Sequence, residues 1–593
     1  MIDLSSIYHR SGDNYCYLQD GNTLHIRIRT KIANVNEIEI IYGDQYEMIN
    51  YQWVSHRLMM EKNGSDSLFD YWHCTITNKK RIRYGFIIRD NDQQITYTEK
   101  GFFPFIPEDA GYYFCLPYLH QKDVFSPPSW VSTTIWYQIF PERFRNGDSS
   151  LNPIDTAPWG QEEPGLWNFF GGDFQGIIDS LDYLSDLGIT GIYLTPIFHA
   201  KSNHKYDTIN YLEVDPQFGD TETLKALVKE CHKHGIRVML DAVFNHCGYY
   251  FPPFQDVLKN GENSRYKDWF HIHKFPLKEA DAINYETFGF YEAMPKFNTA
   301  NQEVKEYLLH VAKYWITECD IDGWRLDVAN EIDHDFWRSF RSIVKELKPD
   351  LFILGEVWHD SLPWLRGDQF DSVMNYPLLT KALQFFAYDM ISPQQFMEEM
   401  TTTIQAYPDT VNKVLFNIIG SHDTPRIIHE CSYRKERVKL LFTFLLTYPG
   451  TPCIYYGDEI GLGGGSDPGC RKCMPWNLGE HDDELKEFVK RLIQVRKQSS
   501  HLINNGTFCF LTNSASCLVY YTKKEAEIML TVINKSDTEA QFLLPFPLRG
   551  KKISLLLTEE EYAAESNDLA VILGPYECSI LRFNMNYEYI HAK

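Results

Sequence analysis

Gly323-Trp324-Arg325-Leu326-Asp327 and Phe352-Ile353-Leu354-Gly355-Glu356 are two short apolar runs, each broken at its end by an acid. Each run has the length of a buried strand. The stretch before the first, Val304 to Ile316, places Val304, Tyr307, Leu308, Val311 and Trp315 on one face of a helix. Working outward, similar runs begin at Ile135, Gly191, Val238, Ser372, Leu415 and Cys453, with amphipathic stretches between them. Strand–helix alternation repeated eight times predicts an α/β protein built on a closed parallel (β/α)8 barrel, the TIM-barrel architecture.

Both flanks change grammar. Before the barrel, Leu24, Ile26 and Ile28 alternate with His25, Arg27 and Arg29, and Ile82, Tyr84 and Phe86 repeat the pattern. Period two with Asn/Asp/Gly clusters between runs predicts an N-terminal β-sandwich over residues 1–123. Ser126-Pro127-Pro128 reads as the linker into a catalytic barrel over 124–504. Strand patterns return near Leu518, Ile528 to Ile533 and Ile553 to Leu557, predicting a C-terminal β-sandwich over 505–593. Residues 248–299 carry no clear strand–helix unit, and an excursion of that length predicts an inserted B domain on the barrel's C-terminal face.

A formal net charge of −23 argues against nucleic acid or an anionic membrane as partner and leaves a neutral substrate such as a sugar. No basic stretch followed by an apolar run opens the chain, and the apolar run near Leu440 to Tyr448 is too short for a membrane span. Thirteen scattered cysteines fit a reduced, cytoplasmic protein. Cys470 and Cys473 form a lone CxxC without a second pair, so zinc is not expected there.

In such a barrel, reactive groups stand at the C-terminal strand ends. Those ends carry Asp241 to His246, Arg325 and Asp327, Glu356, and His422 with Asp423. Arg325 and Asp327 are two apart on one strand and share a side, so the guanidinium is expected to keep Asp327 ionised. An ionised carboxylate beside a sugar can attack the anomeric carbon. Glu356, on the neighbouring strand, suits a general acid, and the pair fits the roughly 5 Å separation of retaining glycosidases. Any one of these acids could equally be a structural ion pair. Four polar strand ends in one barrel favour chemistry.

Asp241-Ala-Val-Phe-Asn-His246, Gly323-Trp-Arg-Leu-Asp-Val-Ala-Asn-Glu331, Gly355-Glu-Val-Trp358 and Gly420-Ser-His-Asp-Thr424 resemble the four signature regions of the α-amylase family, glycoside hydrolase family 13. Met294-Pro-Lys-Phe-Asn298 resembles the Met-Pro-Lys-Leu-Asn signature of its neopullulanase, cyclomaltodextrinase and maltogenic amylase subfamily, with Phe297 in place of Leu. The resemblance implies Asp327 as nucleophile, Glu356 as acid/base and Asp423 as transition-state stabiliser. It implies His204, Tyr206, His246, Arg325 and His422 as contacts of the sugar at the scissile bond. Asp467 and Arg471 would grip the non-reducing side, although a loop salt bridge explains them equally. Trp358 would pack on the leaving-group side. Phe288 and Tyr376 are further glucan-binding candidates, with core packing as the competing role.

The resemblance also implies calcium, held by Asn146, Asp148, Asn152, Gly171 and Asp173, where an Asx-rich turn is the alternative. Leu151 stands where relatives often have Asn. No organic cofactor is expected. The implied activity is hydrolysis of α-1,4 bonds in cyclomaltodextrins, pullulan and maltooligosaccharides, with transglycosylation, by a homodimer joined through the N-terminal domain. Neopullulanase and maltogenic amylase activities remain alternatives. An α-1,6-glucosidase, a glucanotransferase and a non-catalytic glucan-binding relative also remain, the last disfavoured because all three acids are present.

Overall fold

The computed structural model describes residues 1–279, 282–477, 479, 481–511, 517–567 and 569–585. The predicted inserted segment therefore contains two undescribed positions, 280 and 281, and the end of the expected 505–593 unit lies outside the described residues.

The expected strands form one eight-stranded parallel sheet. We number them β1 (Trp136–Ile139), β2 (Gly191–Leu194), β3 (Arg237–Ala242), β4 (Gly323–Leu326), β5 (Phe352–Gly355), β6 (Ser372–Val373), β7 (Phe416–Ile418) and β8 (Thr451–Tyr455). The order is β6-β5-β4-β3-β2-β1-β8-β7. A parallel bridge between Met374 and Phe416 joins β6 to β7 and closes the barrel. Each strand is buried along its length, which explains why the runs read as continuously apolar.

Helices cover the outside. Gln302–Cys319 is capped by Asn301, whose side chain accepts from the Glu303 and Val304 amides, and buries Val304, Leu308, Val311 and Trp315. The alternation fails once. Between β5 and β6 there is only a 3-10 turn, Leu362–Trp364. Pro363 and Gly367 interrupt a connection too short for a helix and two loops.

After β2 an antiparallel hairpin, Phe198–Ala200 with Thr208–Val214, precedes the helix Thr221–Lys233 and carries His204 and Tyr206. After β3 the chain makes its excursion. It holds the helix Pro252–Asn260, and bridges such as His246 to Lys296 tie it back to the barrel rim.

The N-terminal unit packs a four-stranded sheet against a six-stranded one over a core that includes Ile26, Ile28, Ile40, Trp72 and Phe86. It docks on the barrel segment that ends the helix Pro393–Gln405. There Asn14 Nδ2 donates to the Gln405 carbonyl (2.8 Å) and Thr402 Oγ1 to Asp66 (3.2 Å). The C-terminal unit builds a six-stranded sheet and a two-stranded one around Val519, Leu530, Val532 and Phe583.

Candidate active site

Arg325 organises the rim. It is fully buried on β4 and faces three carboxylates. Nη1 donates to Asp327 Oδ1 (2.6 Å) and to Asp241 at the end of β3 (3.0 and 3.1 Å). Nη2 reaches Glu356 Oε2 at 2.8 Å. A single planar guanidinium spans Asp327 and Glu356, which brings the two carboxylates close together, as a retaining pair requires.

One positive charge does not neutralise three buried acids. Burial, aided by Glu356 and Asp241, pushes the Asp327 carboxyl well above its ordinary range despite Arg325. Burial likewise pushes Asp241 up to about 6. Arg325 lowers the Asp327 carboxyl, as expected, but burial and the neighbouring acids work against it, and the guanidinium is divided among three carboxylates.

Glu356 is held asymmetrically. Oε2 accepts from Arg325 and from the Val328 amide (2.9 Å), whereas Oε1 receives Trp358 Nε1 at 3.1 Å and lies 3.5 Å from the Tyr376 hydroxyl. Oε1, facing Trp358, is thus the oxygen that the guanidinium does not engage. Val328 has φ 46°, the left-handed region that a β-branched residue rarely enters, and this turn aims its N–H at Glu356. Gly355 before the acid is required sterically, because a Cβ there would lie 2.4 Å from the Phe370 ring.

A directed hydrogen-bond chain crosses the barrel mouth. Gln138 Nε2, on β1, donates to His422 Nδ1 (2.6 Å), which leaves the proton on Nε2. His422 Nε2 donates to the Tyr206 oxygen (2.6 Å), and the Tyr206 hydroxyl donates to Asp241 (3.1 Å). Tyr193, on β2, also donates to Asp241 at 2.6 Å. Burial next to Arg471 and Arg325 holds His422 well below the usual imidazole range, so it serves as a neutral donor. Its ring lies parallel to that of Tyr206, 5.5 Å between centroids.

Asp423 stands at the edge of this group, 3.3 Å from His422 Nε2 and 3.3 Å from Arg471 Nη2. Arg471 Nη1 pairs with Asp467 at 2.9 Å. Arg471 thus makes the loop salt bridge expected as the alternative, and it also reaches Asp423. His204 sits behind Tyr206, accepting its amide at Nδ1 (3.1 Å). His246 Nε2 is buried without a partner, and its ring stacks on Phe288 at 5.1 Å. Phe288 is half-buried and Tyr376 buried. Trp358 is 52% exposed and lies flat on Tyr376.

Sequence reasoning left Gln138 and Tyr193 out of the site, and gave Asp241, Asn245 and Lys296 no role although it placed them in motifs. Gln138 inside an otherwise apolar strand was the available signal. Lys296 Nζ donates to Asn245 Oδ1 and to Glu331 Oε2 (3.1 Å), so it ties the Met294–Asn298 motif to the residues after Asp327.

The residues expected to bind calcium divide into two sets. Asn146 Nδ2 lies 2.9 Å from Asn152 Oδ1 and 3.4 Å from the Phe170 carbonyl. Gly171 approaches them closely at φ 81°. Asp173 instead accepts the Gly147, Asp148 and Gly176 amides, capping the helix Phe174–Ile178. Asp148 accepts from Ser150.

A closed parallel barrel whose strand ends converge three acids on a polar mouth is the arrangement of a glycoside hydrolase. The comparisons agree. The α-amylase catalytic domain matches residues 138–505, the N-terminal Ig-like domain of α-amylases 1–120, and the maltogenic amylase C-terminal domain 508–580. A cyclomaltodextrinase of Geobacillus thermopakistaniensis is 56% identical, covering 96% of this chain and 98% of that one. A maltogenic α-amylase of Bacillus acidopullulyticus is 54% identical, covering 98% and 99%. A solved cyclomaltodextrinase structure superposes with a TM-score of 0.93 at 44% identity, over 98% of this chain and 100% of that one. The chain belongs to the α-amylase family of glycoside hydrolases, among the cyclomaltodextrinases, neopullulanases and maltogenic amylases.

Proposed function

We propose that this protein is a cyclomaltodextrinase-type hydrolase that cleaves α-1,4 bonds with retention of anomeric configuration. The observation that carries this is the single guanidinium of Arg325 bridging Asp327 and Glu356. Asp327 attacks the anomeric carbon while Glu356 delivers its Oε1 proton to the leaving oxygen. Glu356 then takes a proton from water, or from an acceptor sugar, which attacks the glycosyl-enzyme and frees Asp327. An acceptor resting on Trp358 gives transglycosylation. Asp423, oriented by Arg471 and next to His422, is placed to stabilise charge on the sugar ring. Rates on β-cyclodextrin and soluble starch test the reading. Faster release of maltose and glucose from cyclodextrin supports it, and equal or faster hydrolysis of starch rejects it.

Three further assignments go with this reading. Calcium would sit where the Asn146 and Asn152 amides meet the Phe170 carbonyl. Turning the Asn146 amide over brings three oxygens together, a donor set suited to a hard cation. Melting with calcium and with EDTA tests it, and identical curves reject it. The protein would work as a homodimer through the N-terminal unit, so removing residues 1–123 should give a monomer with raised activity on starch. No helix among the described residues is long and apolar enough to cross a membrane. Thirteen cysteines scattered through the sequence support a cytoplasmic setting that fractionation would check.

A further inference from the structure

Far from the barrel mouth, where the N-terminal unit meets the barrel, two histidines and an aspartate converge. His25 lies on the strand Thr23–Lys31 and His73 on its neighbour Phe69–Thr77. In register His25 faces Thr75 and Arg27 faces His73, so the two imidazoles are diagonal neighbours on one face. His25 Nδ1 and His73 Nε2 are 2.8 Å apart. Asp409 comes from the barrel, at the start of the short helix Asp409–Asn412, and its Oδ2 lies 4.0 Å from His25 Nδ1. One ligand atom from each residue falls within 4.8 Å of the other two.

We propose that His25, His73 and Asp409 form a binding site for a divalent transition metal of the zinc class, which pins the N-terminal unit to the barrel. Two imidazoles and one carboxylate are a donor set such ions take, with a fourth position left to water. The spacing fits. Bonds of about 2.0–2.2 Å to a tetrahedral ion put ligand atoms a little over 3 Å apart, between the 2.8 Å and 4.0 Å seen here. The third gap, from His73 to Asp409, is within 4.8 Å, so shifts on the order of an ångström would seat the ion.

The surroundings are those of a held ligand. Gln19 Oε1 lies 2.8 Å from His25 Nε2 and fixes the proton there, so the Nδ1 lone pair faces His73 and Asp409. Tyr17 stacks on His25 at 5.0 Å with planes 7° apart, which sets the ring's plane. Asp409 is oriented by Arg27 through its other oxygen, Oδ1, and by the Tyr17 hydroxyl, so Oδ2 faces the two imidazoles. Arg27 also donates to the Tyr407 carbonyl at 2.7 Å, fixing the loop that presents Asp409. Its charge works against a cation, whereas Glu61 lies opposite His73 across the sheet and works for one. The proton that His73 Nε2 shares with His25 Nδ1 moves to His73 Nδ1 on binding, and the ligands displace water from the ion with no change of oxidation state.

The full-length protein, cleared with EDTA and dialysed, would be titrated with Co2+ and followed by visible absorption, then challenged with Zn2+. One equivalent should develop the intense bands of a four-coordinate site with nitrogen ligands, and Zn2+ should abolish them. Zn2+ should also raise the melting temperature by about 2 °C or more. In His73→Gln and in Asp409→Asn, affinity should fall at least about tenfold, while cyclodextrin hydrolysis stays unchanged. An absence of such bands in the wild-type protein overturns the proposal, as does an unaltered titration in His73→Gln. Should that variant fail to fold, X-ray absorption of the zinc-loaded wild type decides. Two imidazoles in the first shell support the site, and any other count overturns it. The calcium loop offers only oxygens and would give weak octahedral bands instead.

Discussion

The indole of Trp358 lies flat on the phenol ring of Tyr376, with 3.6 Å between ring centroids and 14° between planes. Tyr376 is buried, so it acts as a fixed floor, and the other face of Trp358 is free for a sugar. The same indole N–H holds Glu356 Oε1. Trp358→Ala is expected to lower kcat/KM on maltotriose about tenfold, the scale of one aromatic platform. The ratio of transfer to hydrolysis should fall further, because the acceptor loses its seat while water does not. Product analysis at high maltose reads this directly, and an unchanged ratio would place the acceptor elsewhere.

Asp327 and Glu356 are expected to fail in different ways. Asp327→Asn should lose at least about 10⁴-fold in kcat on every substrate. Glu356→Gln should lose roughly 10²–10⁴-fold on cyclodextrin but far less on α-maltosyl fluoride, whose leaving group needs no proton. Equal losses on both substrates in Glu356→Gln would remove it from the acid role.

Two buried aspartates give opposite dependences of stability on pH. Asp241 titrates near 6 in the folded protein because of burial, above its unfolded value. Between about pH 4 and 6 the native state binds a proton that the unfolded chain has lost, so stability falls as pH rises and levels off above 6. The ceiling is about 3 kcal/mol. Asp322 is held down to about 2, with His232, Lys348, the Val238 amide and Arg237 outweighing its burial. Its contribution of about 2 kcal/mol is present above pH 4 and is lost as pH falls through 2. Urea midpoints at pH 4.5, 5.5 and 6.5 should therefore decline in the wild type and decline less steeply in Asp241→Asn.

The barrel was legible because every strand is buried on both faces and each reacting residue interrupts an apolar run at a predictable end. Asp327, Glu356 and Asp423 could be placed on that ground alone. Tyr193 could not, since a tyrosine inside a buried strand looks like packing until its hydroxyl is seen on Asp241. The connection after β5 was misjudged because its neighbours' alternation was extended across Pro363 and Gly367, where chain length forbids a helix. In the Asx cluster at 146–173, Asp173 accepts three backbone amides, a role that residue type alone did not indicate.

Lys296 offers a test of how the inserted segment acts on the site. Its ammonium joins Asn245 and Glu331, and Asn245 precedes His246, whose free Nε2 is buried at the mouth. In Lys296→Met the Asn245 amide loses its charged donor, which loosens the Asn245 Nδ2 contact to His246 Nδ1 (3.3 Å) that helps set the His246 ring. A charged hydrogen bond of this kind is worth about 1.5–3 kcal/mol. The expected loss in kcat/KM on maltotriose is therefore roughly 10–100-fold, carried more by kcat than by KM because the chain alignment at the scissile bond is what changes. Lys296 is largely covered but lies on the rim rather than in a core, so the melting temperature should move little. A large drop in melting temperature with kcat/KM retained would make Lys296 a structural tie only. Partial recovery in Lys296→Arg, which keeps the charge but not the point geometry, would show that the positive charge itself positions Asn245.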